Sequence, residues 1–168
     1  MQFKAGDSVV HPIYGVGYIV MIEEKQFSDI RTRLYYRITL SIRHTIWIPV
    51  EAQSTIGLRL VTAKSNLDQY RNLLKSHPTP TNKPNSQRYV ELISRLKKGS
   101  FQVMCEVVRD LTVSSRQKSL GSTDRAILLK TRENLCQEWA VAAGISNIEA
   151  IKEIDALLQT TQQTSNMG

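Results

Sequence analysis

The sequence predicts an α+β protein in which a small five-stranded β-barrel precedes a C-terminal all-α helical bundle. Apolar residues alternate with a period of two as far as residue 62, and their spacing becomes helical after residue 66. The proline-rich stretch HPTPTNKPNS then interrupts the helical part. We therefore expect a barrel over residues 1–65, a helix and linker over 66–82, and a basic helical domain over 83–168.

The first half contains short β-branched runs separated by Gly and Pro, which favour strands joined by tight bends. GDSVVHPIYGVG at residues 6–17 spans the first bend, and YIVMIEEK, RLYYRITLS, HTIWIPV and GLRLV supply further runs. Five strands this short cannot bury both faces of a flat sheet, so the sheet is expected to curl on itself. The expected fold is an SH3-like or Tudor-like barrel.

Capping residues mark the helix boundaries in the second half. Asn66 is expected to cap the helix that follows it, and Ser100 to cap the helix after the stop at Gly99. Ser146 and Glu149 have the spacing of a capping box. These signals predict one linker helix and four bundle helices that pack through apolar stripes.

The charge distribution favours an anionic partner. The net charge is +7, and residues 83–132 hold 11 basic against 4 acidic side chains. Residues 133–168 hold one Lys and five acids. A basic block followed by an acidic tail predicts one face directed at phosphates, whereas a solvated surface with uneven charge is the plainer alternative.

The remaining composition predicts a cytoplasmic protein. Cys105 and Cys136 stand far apart inside helical patterns, and we interpret both as buried thiols in a reducing compartment. No apolar run reaches the roughly 18 residues of a membrane span. The N-terminal MQFKAGD has no hydrophobic region typical of a secretory signal.

Sequence motifs of catalysis are missing, so we expect a binding protein and not an enzyme. GxxxxGK[ST], HExxH and GxSxG do not occur. His11, His44 and His77 are scattered without clustered carboxylates, which argues against a metal site. We expect no cofactor and no small-molecule substrate.

Several motifs resemble the CarD/CdnL family of bacterial RNA polymerase-binding transcription regulators. They are GDxVVxPxYGVG at residues 6–17, IPVEAxxxxGLR at 48–59, EVVRDL at 106–111 and SLGSTDRAIL at 119–128. The N-terminal module of this family also occurs in the transcription-repair coupling factor. The resemblance implies a barrel that docks on the polymerase β subunit and a helical domain that touches promoter DNA at the upstream edge of the melted bubble. It also implies a bacterial protein that reaches the nucleoid through the polymerase.

On the barrel, Trp47 is the expected anchor for the polymerase. Its neighbours Ile46 and Ile48 suit the core, so period two turns the indole outward, and exposed Trp is common at interfaces. Trp47 could instead cover a barrel end. The resemblance adds Lys25 and Phe27, on the strand expected to neighbour that of Trp47, as a second polymerase contact.

On the bundle, the basic block supplies the candidate DNA contacts. Arg88 and Arg125 match positions where the family places DNA-contacting cations, and Lys97 and Lys118 belong to the same block. Arg109 is expected to form an internal ion pair. Cations without interleaved aromatic residues predict phosphate contacts that are largely independent of sequence.

Asn85 marks a departure from the family. Many members carry a Trp at the start of the bundle that wedges into the minor groove, whereas this chain reads KPNSQRY. An amide fills an opened base step less well than an indole does. Polymerase binding is thus expected to survive, while stabilisation of the melted bubble is expected to be poor.

Two other functions remain open. The chain could be an adaptor whose barrel binds polymerase and whose bundle binds another protein factor, with little or no DNA wedge activity. A reader of modified peptides would need an aromatic cage. Tyr14, Tyr18, Tyr35 and Tyr36 do not place three rings on one face, which argues against that function.

Overall fold

A computed structural model describes residues 1–27, 31–41, 43–79 and 85–165, with side chains except at residue 85 and from residue 162 onward. The chain divides into two compact units. Met1–Val61 is called the sheet unit, and Thr62–Gly168 is called the helical unit.

The sheet unit contains the five predicted strands. They are β1 (Ser8–His11), β2 (Gly15–Lys25), β3 (Arg33–Leu40), β4 (Thr45–Pro49) and β5 (Arg59–Leu60). All pairings are antiparallel, in the order β4-β3-β2-β1-β5. A turn of 3-10 helix at Val50–Ala52 and a one-turn helix α1 (Gln53–Ile56) connect β4 to β5.

Closure of the sheet into a barrel is not confirmed. Among the residues that are described, β4 and β5 form the two ends of the sheet and do not pair with each other. β5 contains only two residues, both paired with β1, so it offers little backbone for a second partner. Val50 of the 3-10 turn and Ile56, the last residue of α1, pack against the core instead.

The period-two alternation predicts the core residues of most of β3 but not those of β2, where Ile19 is buried and its neighbours Tyr18 and Val20 are exposed. Ile38 and Tyr36 of β3 are fully buried beside Ile19 of β2. The Tyr36 hydroxyl donates to Gln53 Oε1 at 2.5 Å and accepts from the Phe3 amide at 3.1 Å, which ties the N-terminus to α1. Gly17 is required at its position because an added Cβ would lie 2.6 Å from Ile38 Cγ2.

The helical unit contains α2 (Leu67–Lys75), α3 (Asn85–Lys97), α4 (Phe101–Gln117), α5 (Ser122–Ala143) and α6 (Asn147–Ser165). Trp139 lies fully buried in the main core, beside the free thiols Cys105 and Cys136. Burial raises the pKa of both thiols. Their interpretation as buried cysteines is confirmed.

The predicted caps are confirmed except at Asn66. The Ser100 hydroxyl accepts from the Val103 amide at 3.4 Å. Ser146 and Glu149 exchange both bonds of a capping box, at 2.9 and 3.1 Å. Asn66 precedes α2, but its side chain makes no capping bond because its own backbone is already helical, with φ −91° and ψ −7°.

The bend between β1 and β2 depends on His11. The imidazole is buried, and its Nδ1 accepts from the amides of Ile13 at 3.1 Å and Tyr14 at 3.3 Å. Both bonds need an unprotonated Nδ1. Burial lowers the pKa of His11 from its ordinary value of 6.5, so the neutral ring is the folded form.

This linkage predicts that acid destabilises the protein through His11. The unfolded state takes up a proton as pH falls below 6.5, the ordinary His value, while the folded state resists it. The free energy of unfolding, measured by urea titration, should therefore fall between about pH 7.5 and pH 5.5. His11→Asn keeps an acceptor oxygen without the titration, so its slope against pH should be flatter. Equal slopes in both proteins would contradict the prediction.

Candidate interaction surfaces

The outer face of the sheet unit collects residues from three strands. On β3 and β4 the buried residues are even-numbered, so Arg37 and Trp47 face outward, directly opposite each other in register. A β-bulge between Ile19 and Met21 shifts the alternation of β2. Met21, the first residue after the bulge, lies opposite Arg37 and so shares its outward face.

The structure brings the three predicted polymerase-binding residues together. Phe27 makes edge contacts with Trp47 and Tyr35, at centroid distances of 5.8 and 5.0 Å. Lys25 Nζ lies 4.4 Å from the centroid of the Trp47 ring. We call Glu23, Lys25, Phe27, Tyr35 and Trp47 the Trp47 cluster.

Two details of this surface differ from the sequence expectation. The strand of Lys25 is not the neighbour of β4, because β3 lies between β2 and β4. Trp47 faces outward but is half-buried under Phe27, a residue that is itself 59% exposed. The period-two pattern gives the face of each residue but not which side chains cover one another.

Sequence reasoning missed Glu23, which orients the cluster. Its Oε1 accepts from Trp47 Nε1 at 2.8 Å and lies 3.7 Å from Lys25 Nζ. The hydrogen bond from Trp47, followed by the nearby positive charges, lowers the pKa of Glu23, which therefore stays ionised. Glu23 lies two residues before Lys25, so the alternation already placed both on one face.

Much of the basic block in the helical unit is paired with its own acids. Arg109 is 5% exposed, and besides Asp110 it bonds Ser76 and Thr79. Its predicted internal role is confirmed. Ion pairs between described residues also join Arg88 to Asp124, Arg95 to Glu106, Lys130 to Glu133 and Arg132 to Asp155.

Four exposed cations of this block make neither an ion pair nor a side-chain hydrogen bond among the described residues: Lys97, Lys98, Lys118 and Arg125. Arg116 is also exposed, but its guanidinium donates to the Leu158 carbonyl at 3.0 Å. Lys118 follows the last turn of α4, and Arg125 lies in the first turn of α5. Lys97 lies at the far end of α3 from Arg88, about 13 Å along the helix axis. The predicted DNA contacts therefore do not form one compact cluster.

A groove of about 670 Å³ opens where the start of α3, the end of α4 and the start of α5 meet. Hydroxyl groups and charged side chains line it. We call it the α3–α5 groove, and its lining includes Ser86, Arg88, Tyr89, Ser114, Lys118 and Asp124. Of the five predicted DNA contacts, the described lining contains Arg88 and Lys118.

The wedge position lies at the edge of the described region. Asn85 is the first residue of α3, directly before Ser86 of the groove. Its side chain, together with the preceding linker residues 80–84, falls outside the described residues. The role predicted for Asn85 stays a prediction.

Other kinds of site find little support in the described residues. No group of three or more His, Cys, Asp or Glu side chains there could hold a metal ion. The same residues include no helix with the length and hydropathy of a membrane span. Tyr36 is fully buried and cannot line an aromatic cage.

The chain matches two domains that occur together in one family. Residues 3–61 match the CarD-like/TRCF RID domain, and residues 69–155 match the CarD C-terminal domain. Together these matches cover most of both units. The chain belongs to the CarD family, whose members are regulators of transcription.

A relative in Bacillus subtilis (strain 168) supports this assignment. It carries the name "Putative transcription factor YdeB" and is 32% identical over 146 residues. The aligned region spans 86% of this chain and 95% of the relative. The resemblance first seen in the motifs therefore extends over nearly the whole length of both proteins.

Proposed function

We propose that this transcription regulator docks on the β subunit of RNA polymerase through the Trp47 cluster. One observation carries the proposal. The residues that resemblance assigned to polymerase binding, Lys25, Phe27 and Trp47, come from two strands and a loop and meet within 6 Å of one another. The match of residues 3–61 to the CarD-like/TRCF RID domain supports the same partner.

The cluster has the chemistry of an interface anchor. Phe27 offers an exposed ring, and Trp47 offers a half-buried ring that Glu23 holds by a hydrogen bond. A side chain already fixed in one rotamer loses little entropy when a partner covers it. Trp is one of the residue types enriched among the few residues that dominate binding energy.

We further propose that the helical unit contacts promoter DNA near the upstream edge of the bubble, mainly through phosphates. The support is the placement of Lys118 and Arg125, exposed and without an ion pair in the described chain, at adjoining ends of α4 and α5. Such cations bind the DNA backbone with little sequence preference. The protein would then work in the bacterial cytoplasm, at the nucleoid.

A second function is favoured by the internal ion pairs. Five cations of the basic block are neutralised locally, and residue 85 is not aromatic. An adaptor needs fewer exposed cations than a DNA-binding module does. The helical unit would then bind another protein factor while the sheet unit holds the polymerase.

The Trp47 cluster predicts a graded loss of polymerase binding. Trp47→Ala should weaken binding to the β subunit about 30-fold, or about 2 kcal/mol, because it removes the anchor. Glu23→Ala should weaken it less, and Glu23→Gln least, because Gln still accepts from the indole. Titration calorimetry of each full-length variant with the β subunit would measure these affinities.

Glu24→Ala is the matched control for the Glu23 variants. It makes the same charge change one residue further along β2, on the opposite side of the strand. Its affinity should stay at the wild-type value. Unchanged affinity of a folded Trp47→Ala protein would remove Trp47 from the interface.

DNA binding should depend on the unpaired cations. Few phosphate contacts predict a slope of log affinity against log salt of about −2 to −4, with little preference for base sequence. Lys118→Glu and Arg125→Glu should each lower affinity and flatten this slope, as measured by anisotropy of a labelled duplex. Lys152→Glu on α6 is the control with the same charge change. If Lys152→Glu has the same effect as the other two, the helical unit has no localised DNA site, which favours the adaptor.

Asn85→Trp should lengthen the lifetime of open promoter complexes. An indole buries more apolar surface in an opened base step than an amide, and a gain of about 1.4 kcal/mol corresponds to about tenfold. Competitor challenge on a promoter with a weak −10 region would measure the lifetime. Asn85→Ala should behave like the wild type. If Asn85→Ala instead abolishes stabilisation, Asn85 is itself a contact.

A further inference from the structure

Arg88 enters the α3–α5 groove already bound to an acid of the same chain. Its Nη2 lies 2.6 Å from Asp124 Oδ2, and the pair joins the first turns of α3 and α5. Both side chains line the groove. In the described part of the chain, Asp124 is the polar partner of Arg88.

This pair differs from the buried pair of Arg109 and Asp110. Arg109 is 5% exposed and has several partners, so solvent or a ligand cannot replace them. Arg88 and Asp124 are 28% and 18% exposed, and among the described residues a single contact joins them. Ion pairs in contact with water are weak, so an incoming anion can compete for this arginine.

Asp124 can also remain in place without Arg88. It lies in the first turn of α5, where a carboxylate is stabilised by the helix dipole. Opening the ion pair therefore frees Arg88 without unfolding the helix. The carboxylate left beside the groove would repel a phosphate, so Asp124 opposes an anionic ligand in both states.

We propose that Asp124 competes with the DNA backbone for Arg88 and thereby weakens DNA binding by the helical unit. This inference rests on the proposed DNA contact. A phosphodiester in the α3–α5 groove has to displace the Asp124 carboxylate before it can accept from the Arg88 guanidinium. Asp124 would thus limit the strength of the DNA contact in the α3–α5 groove, although the excess of basic residues in this part of the chain predicts attraction.

The chain contains a matched control pair. Arg132 and Asp155 form an ion pair of the same residue types between α5 and α6, and neither residue lines the groove. Asp155→Asn changes the net charge as Asp124→Asn does and also frees an arginine. It therefore reports the effect of overall charge.

The test compares the full-length variants on a labelled duplex of arbitrary sequence, by anisotropy, from about 50 to about 200 mM salt. Asp124→Asn should tighten binding about three- to tenfold at low salt and steepen the slope by about 0.9, the value of one added phosphate contact. Asp155→Asn should raise the affinity for the duplex clearly less than Asp124→Asn does. Asp124→Ser, which releases Arg88 equally, serves as the second variant if thermal melting shows that Asp124→Asn is unfolded.

A double mutant tests the role of Arg88 directly. If Asp124→Asn raises DNA affinity by freeing Arg88, the same substitution should raise affinity little in a protein that already carries Arg88→Gln. A gain that persists there, or an equal gain from Asp155→Asn, would show simple charge repulsion and would overturn the proposal. If neither the wild type nor any variant binds the duplex at low salt, the DNA contact itself fails, and the competition fails with it.

Discussion

A sheet that buries one face leaves its strands no choice of side-chain direction. Tyr36 and Ile38 occupy the core, so Arg37 between them must point away from it, as must Trp47 opposite Arg37. A shift of one residue in register would exchange the two faces completely. The outward direction of the residues in the Trp47 cluster is therefore fixed by the burial of Tyr36 and Ile38, and a loss of core packing would disturb the cluster as well.

The two candidate surfaces each place an acid beside a cation of the proposed contact, with opposite expected consequences. Glu23 holds Lys25 and Trp47 in the positions that a protein partner would meet. Asp124 occupies the donors of Arg88 that a phosphate would need. Under the proposed functions, the ion pair of Glu23 fixes a surface for an aromatic contact, whereas the ion pair of Asp124 weakens an anionic contact, because a phosphate has the same sign of charge as the carboxylate.

Local patterns predicted the local structure, and tertiary contacts decided the rest. The five strands, five helices of the second half and the Ser100 cap follow from period and capping chemistry. The length of β5, the covering of Trp47 by Phe27 and the pairing of Arg88 with Asp124 depend on residues distant in sequence. Charge counting located the basic block but could not show which cations have internal partners.

The burial of Cys105 and Cys136 makes this protein suited to site-specific labelling through an introduced cysteine. Both thiols lie inside the helical core, and their raised pKa values keep them in the unreactive protonated form at neutral pH. Thiol reagents modify the thiolate of exposed cysteines. A single cysteine introduced on either candidate surface would therefore carry a fluorophore without removal of the native pair, and the native core would stay intact during labelling.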